Sequence, residues 1–159
     1  MRKLLIFLMI AASTVAAGPY DENANAAMDI QAALSEARDN GKMVLLKFGA
    51  NWWKDCLVLA EQFQEPPLKE LIEENFILVK IDIGDDWEKN NDIVLSYGNP
   101  IDKGIPTIVV VDKNNNVLTG TLTGQLANAR NMGMDETYDF FVKIINDSKK
   151  LLNRQDLHE

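Results

Sequence analysis

Short apolar runs alternate along this chain with segments whose apolar residues recur every three or four positions. Met28 to Asn40 places Ile30, Ala33, Leu34 and Ala37 at helical spacing, with Asp29 in the first turn and Asn40-Gly41 as a stop. Met43 to Phe48, "MVLLKF", is apolar and bounded by Gly41 and Gly49, which predicts a buried strand. Lys54 to Gln64 carries Leu57, Ala60 and Phe63 on one side, a helix that Pro66-Pro67 must end or kink. Leu68 to Asn75 predicts a further helical piece, and Phe76 to Ile83, "FILVKIDI", a second buried strand. Trp87 to Tyr97 reads as a helix closing at Gly98, and Pro106 to Asp112 as a third strand. The asparagines after Asp112 make a turn into a paired strand, Val117 to Leu122, because asparagine tolerates left-handed backbone. Asp135 to Leu152 is the last helix, with Tyr138, Phe141, Ile144, Ile145 and Leu152 facing inward.

Strands alternating with helices predict an α/β domain with a parallel arrangement, to which the final hairpin adds an antiparallel edge. Helices are expected on both faces, giving three layers around a central mixed sheet. No internal repeat or low-complexity tract interrupts this single domain, expected over 28–152, with a polar tail at 153–159.

The first residues follow a different rule. Arg2 and Lys3 precede an apolar run, Leu4 to Ala12, and then the small residues Val15-Ala16-Ala17. This is the layout of a secretory signal peptide, and the run is too short to span a bilayer, which takes about 20 apolar residues. The cut is expected after residue 17, or as late as 26 at Ala24-Asn25-Ala26, leaving 18–27 as a flexible lead-in. The product is expected to be exported, periplasmic in a Gram-negative cell and otherwise secreted, without stable membrane insertion. The whole chain carries a formal charge of −8, and without Arg2 and Lys3 it would keep 14 basic residues against 24 acidic. Such a surface repels nucleic acid and anionic membranes. One cysteine in 159 residues rules out an internal disulfide, so packing alone must hold the domain together.

That cysteine, Cys56, closes the stretch "NWWKDC" at the junction of the first strand and second helix. A cysteine at the start of the helix after the first core strand, with Gly104-Ile105-Pro106-Thr107 opening a later strand, resembles the thioredoxin superfamily over Met28 to Leu152. "NPIDKGIPTIVVVDKNNNVL" and "TGQLANARNMG" are similar to exported bacterial thioredoxin-like proteins. The resemblance implies a strand ending in Trp-Cys-x-x-Cys and a distant cis-proline beside the two sulfurs. Here Trp52 matches the tryptophan, Trp53 stands at the attacking cysteine, and Cys56 matches the resolving one. Pro106 matches the cis-proline, and Lys47 aligns with an acidic residue that often assists the resolving thiol. Dithiol exchange needs one thiolate to attack and a second to release the mixed disulfide. Tryptophan cannot attack, so ordinary dithiol oxidoreductase turnover is not expected.

Three roles stay open for Cys56: a core residue, a monothiol that captures a partner's sulfur, or one ligand of a metal site. No metal and no cofactor is expected, because the only histidine, His158, lies in the tail. A nearby Lys47 would favour the thiolate, although a lysine at a strand end is ordinarily solvated. Trp53 either covers the former active site or forms, with Trp52, an aromatic platform for an exported protein or peptide, together with Ile105 and Pro106. Three other patterns are set aside. "DKNNN" lacks the glycine and bidentate glutamate of a calcium loop, "DIGDDWE" is the acidic start of a helix, and the sequon at Asn146 falls inside the last helix.

Overall fold

The computed structural model describes residues 18–156 and the side chains of 18–154; the segment 1–17 expected as a signal peptide and His158 lie outside the described residues. Among the described residues, five α-helices and four strands follow the order α1 (Ala26–Asn40), β1 (Met43–Gly49), α2 (Lys54–Gln62), α3 (Leu68–Asn75), β2 (Phe76–Asp82), α4 (Asn91–Ser96), β3 (Thr107–Val111), β4 (Val117–Gly120) and α5 (Met134–Asp156). The helix α1 starts where the Asn25 side chain accepts the Met28 N–H, and it stops at Gly41, whose φ of 68° closes the last turn. Val44, Leu46 and Phe48 of β1 point into a core beneath α1 and α4. Met43 and Leu45 point the other way, toward α2, α3 and α5. All seven residues of β1 are buried, as a strand covered on both faces requires. Among the described residues no helix is long and apolar enough to cross a membrane.

The sheet order is β2-β1-β3-β4, with β1 and β2 parallel and both other pairs antiparallel. The three-layer mixed sheet is therefore present, but β3 does not run parallel to β1 as the alternation of elements predicted. Asp82 ends β2 opposite Gly49, and Thr107 begins β3 opposite Phe48. The intervening chain thus stays at one end of the sheet. A parallel return needs a crossover that spans the strand length, about 23 Å for seven residues. The six residues of α4 rise only about 9 Å.

Three boundaries also differ. The residues expected as a mobile lead-in are anchored: Tyr20 is 1% exposed, its N–H donates to Asn51 Oδ1 at 2.9 Å, and its carbonyl accepts from Asn51 Nδ2 at 2.8 Å. The expected helix from Trp87 begins only at Asn91, because Trp87 and Asn90 take left-handed backbone, with φ of 67° and 56°. The last helix continues to Asp156, through residues expected as polar tail.

Candidate functional site

The C-terminal end of β1 collects every residue singled out in "NWWKDC". Trp53 is the residue immediately before the first turn of α2, and its carbonyl accepts from the N–H groups of Cys56 and Leu57. Cys56 is therefore the third residue of the helix, one turn deeper than Trp53. Its thiol is free and 0% exposed. Burial raises its pKa above the ordinary thiol value, and a backbone hydrogen bond from Ala50 and the Lys47 charge only partly offset this.

The surroundings of the thiol explain its burial. Tyr20 reaches across from the segment before α1, and its hydroxyl and the Cys56 sulfur converge on the α-carbon of Gly49. A β-carbon on Gly49 would lie 2.7 Å from Cys56 Sγ and closer still to Tyr20 Oη. The close approach is what requires glycine here. Tyr20 Oη has no oxygen or nitrogen partner among the described residues, and burial followed by the Cys56 charge raises its pKa. Lys47 is not solvated. It is 1% exposed, its ammonium 4.7 Å from the Tyr20 ring centre and 5.5 Å from that of Phe63. Burial lowers its pKa to about 7.

Arg130 was not identified from the sequence. It sits in a single 3₁₀ turn, Ala129–Asn131, and clamps the buried Asp55 of α2. Its Nη2 lies 2.5 Å from Asp55 Oδ2, Nε donates at 3.0 Å, and its backbone N–H donates to Oδ1 at 2.8 Å. Burial alone would raise the Asp55 pKa; the Arg130 hydrogen bonds and charge outweigh it and hold the carboxyl below its usual range. The same guanidinium lies 5.6 Å from the Trp53 ring centre. Seventy-five residues separate the partners, and no local spacing could have joined them.

Trp53 is half-buried, packed against the core beneath it, and its indole N–H is buried without a partner among the described residues. Trp52 is 42% exposed, edge-on to Trp53 at 5.5 Å and 6.1 Å from Trp87, with its N–H donating to the Gly84 carbonyl at 3.1 Å. Trp87, also missed, is 37% exposed. Ile105 and Pro106 belong to the same end, and the bond between them is cis, but both side chains are buried. Of the four residues expected at a binding surface, Trp52 and part of Trp53 face outward.

Asp82 ends β2, and the acidic stretch from Ile83 to Glu88 forms a loop, not a helix start. Asp82 pairs with Lys89 at 2.6 Å, and its backbone carbonyl accepts from Asn90. Asp112 binds the N–H groups of Asn114 and Asn116, which makes "DKNNN" a turn held by its own aspartate. Among the described residues no cluster of three metal-ligating side chains occurs.

Comparison with known proteins agrees with this architecture. A family model described as thioredoxin-like matches residues 24–113. A disulphide isomerase from Xylella fastidiosa Temecula1 is 41% identical, over 81% of this chain and 98% of that one, with a TM-score of 0.78. The C-terminal domain of DsbD from Neisseria meningitidis, in its reduced form, is 18% identical over 74% of this chain and 95% of its own, with a TM-score of 0.51, a likeness of fold alone. No match was found among curated proteins. The family model covers more than half of the chain, and a far more similar structure has the same layers: the chain belongs to the thioredoxin superfamily.

Proposed function

We propose that this chain is a redox-inactive, exported member of the superfamily that binds a protein or peptide at the Trp52–Trp53–Trp87 end of the sheet. The observation that carries this is the place of Trp53. It occupies the helix-start position that the resemblance assigns to the attacking sulfur, and the one thiol lies a turn deeper at 0% exposure. Exposed Trp52 and Trp87 side chains supply large, rigid contact area of the kind that dominates binding hot spots. Asp85, Asp86 and Glu88 flank them and are exposed, so the partner segment is cationic. Peptides selected for binding from a displayed random library are expected to be rich in lysine and arginine. They should lose roughly 30-fold in affinity when Trp52 and Trp87 are both replaced by alanine, the scale of a hot-spot loss. Selected peptides that bind the double variant as tightly as the parent would overturn the assignment.

A monothiol role is favoured by one comparison, the disulphide isomerase at 41% identity. In it the Cys56 thiolate would attack a partner's disulfide, form one mixed disulfide and release one thiol. Burial opposes this. Cys56 is expected to react with a chromogenic disulfide at least a hundredfold more slowly in native buffer than in denaturant. Equal rates in the two conditions would make the monothiol role the better one.

A further inference from the structure

Beside Lys47, between α2 and β2, lies a cavity of about 430 Å³, within the range of small-molecule pockets. Leu57, Ala60, Phe63, Leu78 and Pro19 give it apolar walls, the exposed Glu61, Gln64 and Lys80 line it as well, and the buried Lys47 completes it. A lysine this deeply buried ordinarily has a carboxylate partner, because desolvating an ammonium is costly. Among the described residues Lys47 has neither ion pair nor side-chain hydrogen bond, only the faces of Tyr20 and Phe63. Apolar walls beside a buried, unpaired cation are complementary to a molecule with an apolar body and one anionic end, the exposed Lys80 and Glu61 offsetting each other.

We propose that this pocket binds a small monocarboxylate with an apolar body, its carboxylate on the Lys47 ammonium and its chain along Leu57, Phe63 and Leu78. The site is separate from the tryptophan surface and does not depend on a role there. Around the ammonium the other ionisable groups are Tyr20 from the N-terminal segment, Cys56 and Glu61 from α2, and Lys80 from β2. Both Tyr20 and Cys56 are raised by burial, so neither ionises where Lys47 does. Lys47 loses its proton near pH 7 in the free protein, and a bound carboxylate would stabilise the protonated form. Binding above that pH therefore takes up a proton.

The test uses the chain from Gly18 onward and sodium octanoate, followed by calorimetric titration. Octanoate is expected to bind with an affinity that is flat between pH 6 and 6.5 and weakens up to tenfold per pH unit above 7. Octanol, which keeps the tail and lacks the charge, should bind at least tenfold more weakly. Lys47→Met should lose octanoate at least tenfold while keeping or raising its Tm, since it removes an unpaired buried charge. Ala60→Leu, which fills the chamber and keeps Lys47, should also lose it. No heat with the parent at millimolar octanoate would overturn the proposal. So would octanol binding as tightly as octanoate, or affinity retained in Lys47→Met.

Discussion

Gly49→Ala is expected to cost about 3 kcal/mol of folding stability, at the upper end of what over-packing a close-packed core costs. The sign is not obvious in advance. A glycine replaced by alanine at an ordinary backbone angle gains roughly 0.4–1 kcal/mol by restricting the unfolded chain. Gly49 has no left-handed angle to oppose that gain. Sterics decide it, because the new methyl would overlap Tyr20 Oη and Cys56 Sγ, both on fully buried side chains that have no free volume to move into. Tyr20→Phe removes the nearer atom and by itself should be close to neutral, since the hydroxyl it deletes has no oxygen or nitrogen partner among the described residues. Phenylalanine keeps the ring carbon that would lie 2.6 Å from the new methyl, so the double variant Gly49→Ala/Tyr20→Phe should recover only part of the loss, about 1 kcal/mol, in urea denaturation. A Gly49→Ala protein as stable as the parent would show that Tyr20 does not pack over the thiol.

The second large effect belongs to the Asp55–Arg130 clamp, where the two halves are not equivalent. Asp55 is 1% exposed and Arg130 37%. Removing the arginine leaves a carboxylate that is 1% exposed without its countercharge, the costlier half of the pair to lose. Removing the aspartate leaves a guanidinium that can turn to water. Arg130→Ala is thus expected to lower the urea midpoint more than Asp55→Ala does, with solvent screening of the exposed guanidinium keeping both effects moderate. The pH dependence separates them further. In the parent the Asp55 carboxyl is held below its usual range by Arg130. Its contribution is present above the unfolded value of about 3.9 and is lost as pH falls through the lower folded value. In Arg130→Ala the guanidinium's hydrogen bonds and charge are lost while the backbone N–H bond to Oδ1 stays, so the folded value rises relative to the parent and less stability is lost on acidification. Urea midpoints at pH 3, 5 and 7 should show the gap between parent and variant widening with pH. A gap that stays constant would mean that the carboxylate is not stranded.

What could be read from the sequence was what depends on neighbours in the chain. The glycines around "MVLLKF", the helical spacing of Ile30, Ala33, Leu34 and Ala37, and the apolar side of the last helix are local signals, and each element is present, the last helix running four residues further than expected. The direction of β3 was not local. It follows from a connection that stays at one end of the sheet, and a crossing helix was expected because "WEKNNDIVLSY" reads as one helix until Trp87 and Asn90 take positive φ. Around Cys56 the same division holds. Trp52, Trp53 and Cys56 lie within five positions and were found together. Tyr20 approaches from 29 residues before Gly49, and Arg130 from beyond the last strand. A buried lysine at position 47 also contradicts the usual preference of lysine for water, so composition argued against it.

All three tryptophans of the chain, Trp52, Trp53 and Trp87, lie in one contiguous cluster. Ultraviolet emission from this protein is consequently a signal from a single corner. Energy absorbed by any indole is shared among neighbours 5.5–6.1 Å apart, and the spectrum is blind to the hairpin at Asn115 on the far end of the sheet. A cationic segment settling on the cluster would quench or shift that emission directly. Whole-chain unfolding, by contrast, needs the far-ultraviolet dichroism of the helices as its witness.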